Sequence, residues 1–167
     1  MAILEILHYP DERLKLVSEE VTNFDQSLHD FIADLDETRL NASGCVGIAA
    51  PQVNYFQRIA IVDVSNNPKH KSQGLLVLIN PKIVESSGKK KGREGCLSVP
   101  DYTGNVIRAK KIVVESVDKD GQPQRHECEG FEARAVLHEI DHLDGLLFVD
   151  RLVSRRNDLF ERKNYQE

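Results

Sequence analysis

The pentapeptide His138-Glu139-Ile140-Asp141-His142 constrains this chain more than any other stretch. On a helix, residues at i and i+4 lie one turn apart on the same face. Two imidazoles therefore project side by side, with a carboxylate next to them. The neighbours Val136, Leu137, Ile140 and Leu143 are apolar, which marks a buried helix rather than a pair of solvated surface histidines. A buried carboxylate beside two histidines needs a partner of opposite charge. The spacing predicts this helix over Glu132 to Leu143, closed by Asp144-Gly145 with Gly145 as the C-cap.

Two imidazoles so placed can hold one metal ion, with Glu139 beside it. Catalytic sites usually supply three protein ligands and keep one position for water. Residues 143–167 contain no histidine, and Glu161 and Glu167 lie in a polar tail. A third ligand is better sought upstream, in Glu94-Gly95-Cys96-Leu97-Ser98-Val99-Pro100. Cys96 sits there in a tight, apolar setting where a cation would stabilise its thiolate. A lone cysteine is also often a small buried hydrophobe. In Val46-Gly47-Ile48-Ala49-Ala50-Pro51-Gln52, Gly47 and the alanines would let backbone approach a ligand closely. Gln52 offers an amide donor there, unless the segment is a plain connection with Gln52 turned to water.

The 167 residues suit one domain spanning 1–167. With 40% hydrophobic and 29% charged residues, disorder and coiled coil are set aside. A net charge of -5 argues against broad nucleic-acid binding. No apolar run reaches the roughly 20 residues of a membrane span. The opening Met-Ala-Ile-Leu-Glu-Ile-Leu-His lacks the basic start of a signal peptide, so a cytoplasmic location is expected. Cys45, Cys96 and Cys128 are odd in number, which argues against a disulfide framework.

Asp25 to Asn41 has helical spacing, with Leu28, Phe31, Ile32, Leu35 and Leu40 apolar and Asp25 as N-cap. Arg58 to Val64 and Leu75 to Val84 read as strands, and Ser86 to Gly92 as a Gly/Lys loop. Lys111 to Val117 and Gln124 to Glu129 read as a hairpin around Asp118-Lys119-Asp120-Gly121. Ser154 is expected to cap a last helix through Phe160 toward Lys163. The sum is an α+β class: a strand-rich middle, a central metal-binding helix, and flanking N-terminal and C-terminal helices.

In this order, the Gly-Ile-Ala-Ala-Pro-Gln segment, Glu-Gly-Cys-Leu-Ser and His-Glu-x-x-His resemble the motifs of the peptide deformylases. The resemblance runs from His8-Tyr9-Pro10-Asp11 to Leu147-Phe148-Val149-Asp150. One departure is visible: the family's first motif usually opens Gly-x-Gly, and Cys45 stands at the first glycine. The resemblance implies that Cys96, His138 and His142 bind one divalent metal ion, Fe2+ foremost, with Zn2+, Ni2+ or Co2+ accepted. It implies that Glu139 moves the proton, and that the Gln52 amide and the Leu97 backbone N–H stabilise the oxyanion. The implied substrates are N-formyl-methionyl nascent peptides, and formate is released.

The peptide would lie extended along Gly47, with its methionine among Val46, Phe131, Ala135 and the ring of His138. Glu94 is a candidate acceptor for a ligand histidine's other nitrogen, and Asp141 a candidate partner for a cation such as Arg108. A surface salt bridge is the alternative for each. From Arg151 to Glu167 the basic residues outnumber the acidic ones by two. That suggests a ribosome contact through a basic C-terminal helix, and a monomer is the expected state. Two rival readings stay open. A metallopeptidase using the same helix would take a downstream ligand and ignore Cys96. A structural metal module would recruit Cys128 or His126.

Overall fold

Antiparallel pairing builds two sheets, and the helix carrying His138 and His142 lies between their contributions. The computed structural model describes residues 2–162. It is an α+β fold. The strands in chain order are β1 (Gly47–Ala49), β2 (Ile59–Val62), β3 (Leu76–Ser87), β4 (Lys90–Cys96), β5 (Val99–Arg108), β6 (Lys111–Val117), β7 (Pro123–Glu129) and β8 (Leu159–Glu161). The larger sheet has the order β1-β2-β3-β6-β7 and the smaller β4-β5-β8. β1 and β4 are thus both edge strands, free on one side to accept further pairing.

The helix α1 (Gln26–Asn41) begins where its N-cap predicts. The Asp25 carboxylate accepts the Leu28 N–H at 3.0 Å, and Leu28, Ile32 and Leu35 turn inward. They pack on Ile48, Ile59 and Ile61 of the larger sheet. Leu40 is instead 67% exposed. It stands five residues after Leu35, off the inward stripe, and Arg39 takes the buried side.

The loop expected over Ser86 to Gly92 is a tight turn. β3 runs on to Ser87, pairing with Lys111, and β4 starts at Lys90 opposite Arg108. Only the Gly88 turn separates them, at φ +73°. The residues there are polar because this end of the hairpin faces water, so no apolar alternation signals the strands.

α2 (Gly130–Leu143) carries Ala133, Val136 and Ile140 into a core with Val62, Leu78 and Val114. Leu143 packs on Ala49 and Ala60. Each such aliphatic side chain contributes about 1.5–3 kcal/mol on burial. The smaller sheet buries Val99 and Val106 against Leu147 and Phe148.

The C-terminal helix expected from Ser154 is not formed. Residues 154–158 make one turn, in which the Asp158 N–H donates to the Ser154 carbonyl at 2.8 Å. The chain then extends as β8, with Thr103 opposite Phe160 and Tyr102 opposite Glu161. A short run with Arg155, Arg156 and Asn157 has too little apolar surface to offset helix nucleation. The free edge of β5 and a seat for Leu159 beside Phe148 win instead. The basic docking helix is therefore absent from the described residues, and Lys163 lies outside them. No helix among them is long and apolar enough to cross a membrane.

Candidate metal centre

α2 presents His138 and His142 on one face, and the turn joining β4 to β5 presents Cys96 opposite them. The Cys96 Sγ lies 3.3 Å from His142 Nε2. One ligand atom from each of Cys96, His138 and His142 falls within 4.8 Å of the others. No other His, Cys, Asp or Glu among the described residues joins this group. His126 and Cys128 stand apart on β7, and Glu161 is exposed on β8. A four-ligand structural site and a downstream third ligand thus find no support in the geometry.

The orientation of His138 is set from behind. Its Nδ1 lies 2.9 Å from Glu94 Oε1, so Nδ1–H donates to the carboxylate and Nε2 keeps a lone pair for the site. Glu94 also accepts from Arg108 Nε and Nη2, both at 2.9 Å, and from Arg134 Nη1 at 2.7 Å. Burial opposes ionisation of Glu94, yet Arg108 and His138 hold its carboxyl well below the usual range. Asp141 accepts from Arg108 Nη1 and Arg151 Nε, each at 2.6 Å. The pairs foreseen for Glu94 and Asp141 both exist, and both are buried in one network rather than lying on the surface.

Glu139 differs from these carboxylates. It is buried, and its Oε1 has no hydrogen-bond partner among the described residues. Burial, with Glu94 and Asp141 adding to it, pushes its carboxyl up to about 7 despite the opposing pull of His138 and Arg108. Gly47 makes this position available: a Cβ there would lie 2.6 Å from Glu139 Oε2. Burial drives the His142 imidazole well below its ordinary range, with His138 reinforcing it, so it is neutral and able to ligate. For His138, burial opposes protonation, but Cys96 and Glu94 outweigh it.

Gln52 points inward, not to solvent. Its Oε1 accepts the Ala49 N–H at 2.9 Å, and its Nε2 donates to Ser98 Oγ at 3.0 Å and reaches Cys96 Sγ at 3.5 Å. Cys96 also fronts a cavity of about 400 Å³ whose lining includes Val46, Gly47, Leu97, Phe131, Ala135 and Glu139, while Gln52 is buried beside Cys96. The structure brings Cys96, His138 and His142 together and sets Gln52 against Cys96. Phe131, Ala135 and Val46 form the apolar part of the wall.

Cys45 lines the same cavity. Its Sγ–H donates to the Gly47 carbonyl at 3.1 Å, and burial, aided by Glu139, pushes its thiol up to about 12. The thiol stays protonated and ties down the loop where a glycine is usual. Sequence reasoning missed Arg134, Arg93 and Arg162, which also line the cavity. Arg134 had a signal, since it stands four residues before His138 on the same helical face. Arg162 had none, because β8 brings it there.

The donor set fits a divalent ion. One thiolate and two imidazoles suit several transition metals, Glu94 fixes the tautomer of one ligand, and a buried Glu139 oxygen has no hydrogen-bond partner among the described residues.

Comparison with known proteins agrees with this geometry. Residues 3–158 match the family model of polypeptide deformylase. A peptide deformylase of Thermodesulfovibrio yellowstonii is 43% identical over 163 residues, covering 98% of this chain and 97% of that one. A crystal structure of a peptide deformylase from Legionella pneumophila superposes with a TM-score of 0.85 at 41% identity, covering 93% of this chain and 90% of that chain. A Met-Ala-Ser-bound deformylase of Acinetobacter baumannii gives a TM-score of 0.84 at 36% identity, covering 90% and 99%. At such identity over nearly the full length of both partners, the chain belongs to the polypeptide deformylase family, whose members are metal-dependent hydrolases.

Proposed function

We propose that this protein removes the formyl group from N-formyl-methionyl nascent peptides and releases formate. The observation that carries the reading is the buried, unpartnered Glu139 carboxylate beside Cys96, His138 and His142, at a cavity flanked by two strand edges. The Acinetobacter relative was solved with Met-Ala-Ser, a peptide that deformylation of formyl-Met-Ala-Ser would yield.

Cys96, His138 and His142 would hold the ion, Fe2+ in our reading. A divalent ion there supplies a Lewis acid and lowers the pKa of a bound water towards about 7. Glu139 takes a proton from the attacking water and returns it to the leaving amine. Its carboxyl, raised to about 7, serves both directions near neutral pH. The Gln52 amide, 3.5 Å from Cys96 Sγ, donates to the developing oxyanion together with the Leu97 N–H, and losing such a donor costs about 2.7–4 kcal/mol. The peptide adds as an extended strand along Gly47 of β1, and its methionine enters the apolar wall of Val46, Phe131 and Ala135.

The test is formate release from formyl-Met-Ala-Ser by protein purified without oxygen. Turnover that yields formate and Met-Ala-Ser is expected. Cleavage of an internal peptide bond instead, with no formate, would overturn the reading.

A further inference from the structure

We infer that Arg93 and Arg162 form a cationic rim on the cleft, selecting formyl-methionyl substrates that carry a carboxylate within the first residues after methionine. The inference rests on the deformylase reading and adds a substrate preference to it.

Four charged side chains line the cavity besides the metal-site residues and their base: Arg93, Arg134 and Arg162, set against the single carboxylate of Glu94. Arg134 is already neutralised, since its Nη1 donates to Glu94 at 2.7 Å. Glu94 in turn has both oxygens engaged by Arg108, Arg134 and His138. Neither Arg93 nor Arg162 makes an ion pair among the described residues.

Arg162 is half-buried, and its Nε is buried with no hydrogen-bond partner among the described residues. Among the described residues its one side-chain hydrogen bond runs from Nη2 to the Tyr102 carbonyl at 3.5 Å, the limit of such a contact. A guanidinium that gives up water without an anion is costly unless an anion arrives with the ligand. Its place is also informative. A Cβ on Gly95 would come within 2.7 Å of Arg162 Nη2, so the charge hangs over the residue just before Cys96. An extended substrate passing along β4 meets it soon after the methionine.

Arg93 sits on β4 with its guanidinium over the Phe160 ring, 3.7 Å from the centroid. Its other contacts are to neutral oxygens, Asn105 Oδ1 and Thr103 Oγ1, both at 3.3 Å. Stacking fixes the plane and leaves the fork open to a carboxylate. Both features depend on β8, which pairs with β5 and so brings Phe160 and Arg162 to the cleft. The chain carries a net charge of -5, so two cations without an ion pair among the described residues stand against the general field at the substrate entrance. Bidentate arginine–carboxylate pairing is the chemistry they fit. The carboxylate can belong to an Asp or Glu side chain or to a peptide C-terminus.

The test compares metal-loaded full-length protein on C-terminally amidated formyl-Met-Ala-Glu, formyl-Met-Ala-Gln and formyl-Met-Ala-Lys, and on formyl-Met-Ala-Gln with a free carboxylate. Wild type should favour Glu over Gln about 3–10-fold in kcat/KM, mostly through KM, with Lys poorest. The preference should shrink with added salt. Arg162→Gln and Arg93→Gln should each erase most of it, Arg162→Lys should keep part, and Arg155→Ala, in the exposed turn, should keep all of it. A gain confined to the free-carboxylate peptide would assign the rim to peptide C-termini. Equal KM for all peptides in wild type would overturn the inference while leaving deformylation intact. Formate release from none of them would overturn the functional reading itself. Thermal melts of each variant identify misfolding, and Phe160→Leu then tests Arg93 without altering either cation.

Discussion

Glu139 and Glu94 at the site, and Cys128 away from it on β7, differ in charge because their surroundings differ. Glu139 has a buried oxygen with no partner and a carboxyl raised to about 7. Glu139→Ala should therefore keep the metal and lose about 10²–10⁴-fold in kcat, read by metal analysis alongside kinetics; loss of the metal with the activity would make it a ligand. Glu94 is its opposite, held ionised among Arg108, Arg134 and His138. Glu94→Gln should weaken metal affinity about 10–100-fold and leave two buried guanidiniums short of an anion, at a cost of about 3–5 kcal/mol. Metal titration and urea unfolding measure the two effects, and unchanged affinity would show that His138 is oriented by something else. The Cys128 thiol, raised to about 12 chiefly by burial, should resist alkylation at pH 8, where about one part in ten thousand is thiolate. Because the folded-state value lies above the ordinary thiol value of 9.0, Cys128 lowers stability only as pH climbs past about 9. Mass spectrometry after brief iodoacetamide treatment checks the first claim, and rapid labelling of native Cys128 would contradict it.

At the level of elements, legibility followed periodicity. α2 and α1 could be read because an apolar stripe recurs on one face and a cap stands at the end, and Asp25 does accept the Leu28 N–H. The same stripe separates Leu35 from Leu40. Leu35 is fully buried and Leu40 is 67% exposed, so Leu35→Ala should cost about 2–5 kcal/mol and Leu40→Ala within about 0.5. Equal midpoints in urea would mean that α1 packs otherwise. β8 was not legible, because three residues carry no period and their strand state is conferred by the open edge of β5. The β3–β4 turn failed for a related reason: Ser86 and Ser87 look like loop residues, yet pairing with Ile112 and Lys111 decides their conformation. The candidate ligands His138 and His142 were readable from type and spacing and Cys96 from the order of the motifs, whereas Arg93 and Arg162 became neighbours of the site only through tertiary pairing.

In the whole molecule, the three candidate ligands join parts that are otherwise separately cored. Cys96 comes from the turn of the smaller sheet, whose apolar residues pack on Leu147 and Phe148. His138 and His142 come from α2, whose apolar face packs on the larger sheet. An ion bound to all three would link the two cores, so its binding energy adds to folding stability by mass action. At a free metal concentration of about 100 times Kd the gain is about 2.7 kcal/mol, which for a chain of this size corresponds to a rise of about 5–10 °C in Tm. The chelated protein should still unfold cooperatively, because the buried Glu94–Arg108–Asp141 network and the apolar clusters hold the same parts together. Nickel is the useful ion for this measurement, since a ferrous centre with a thiolate ligand is open to oxidation at both metal and sulfur. Calorimetry with increasing free Ni2+ should therefore show a Tm that climbs with concentration in wild type and in Cys128→Ser, but far less in Cys96→Ser. A Tm independent of nickel in wild type, or the same climb in Cys96→Ser, would mean that the ion does not join the two cores through Cys96.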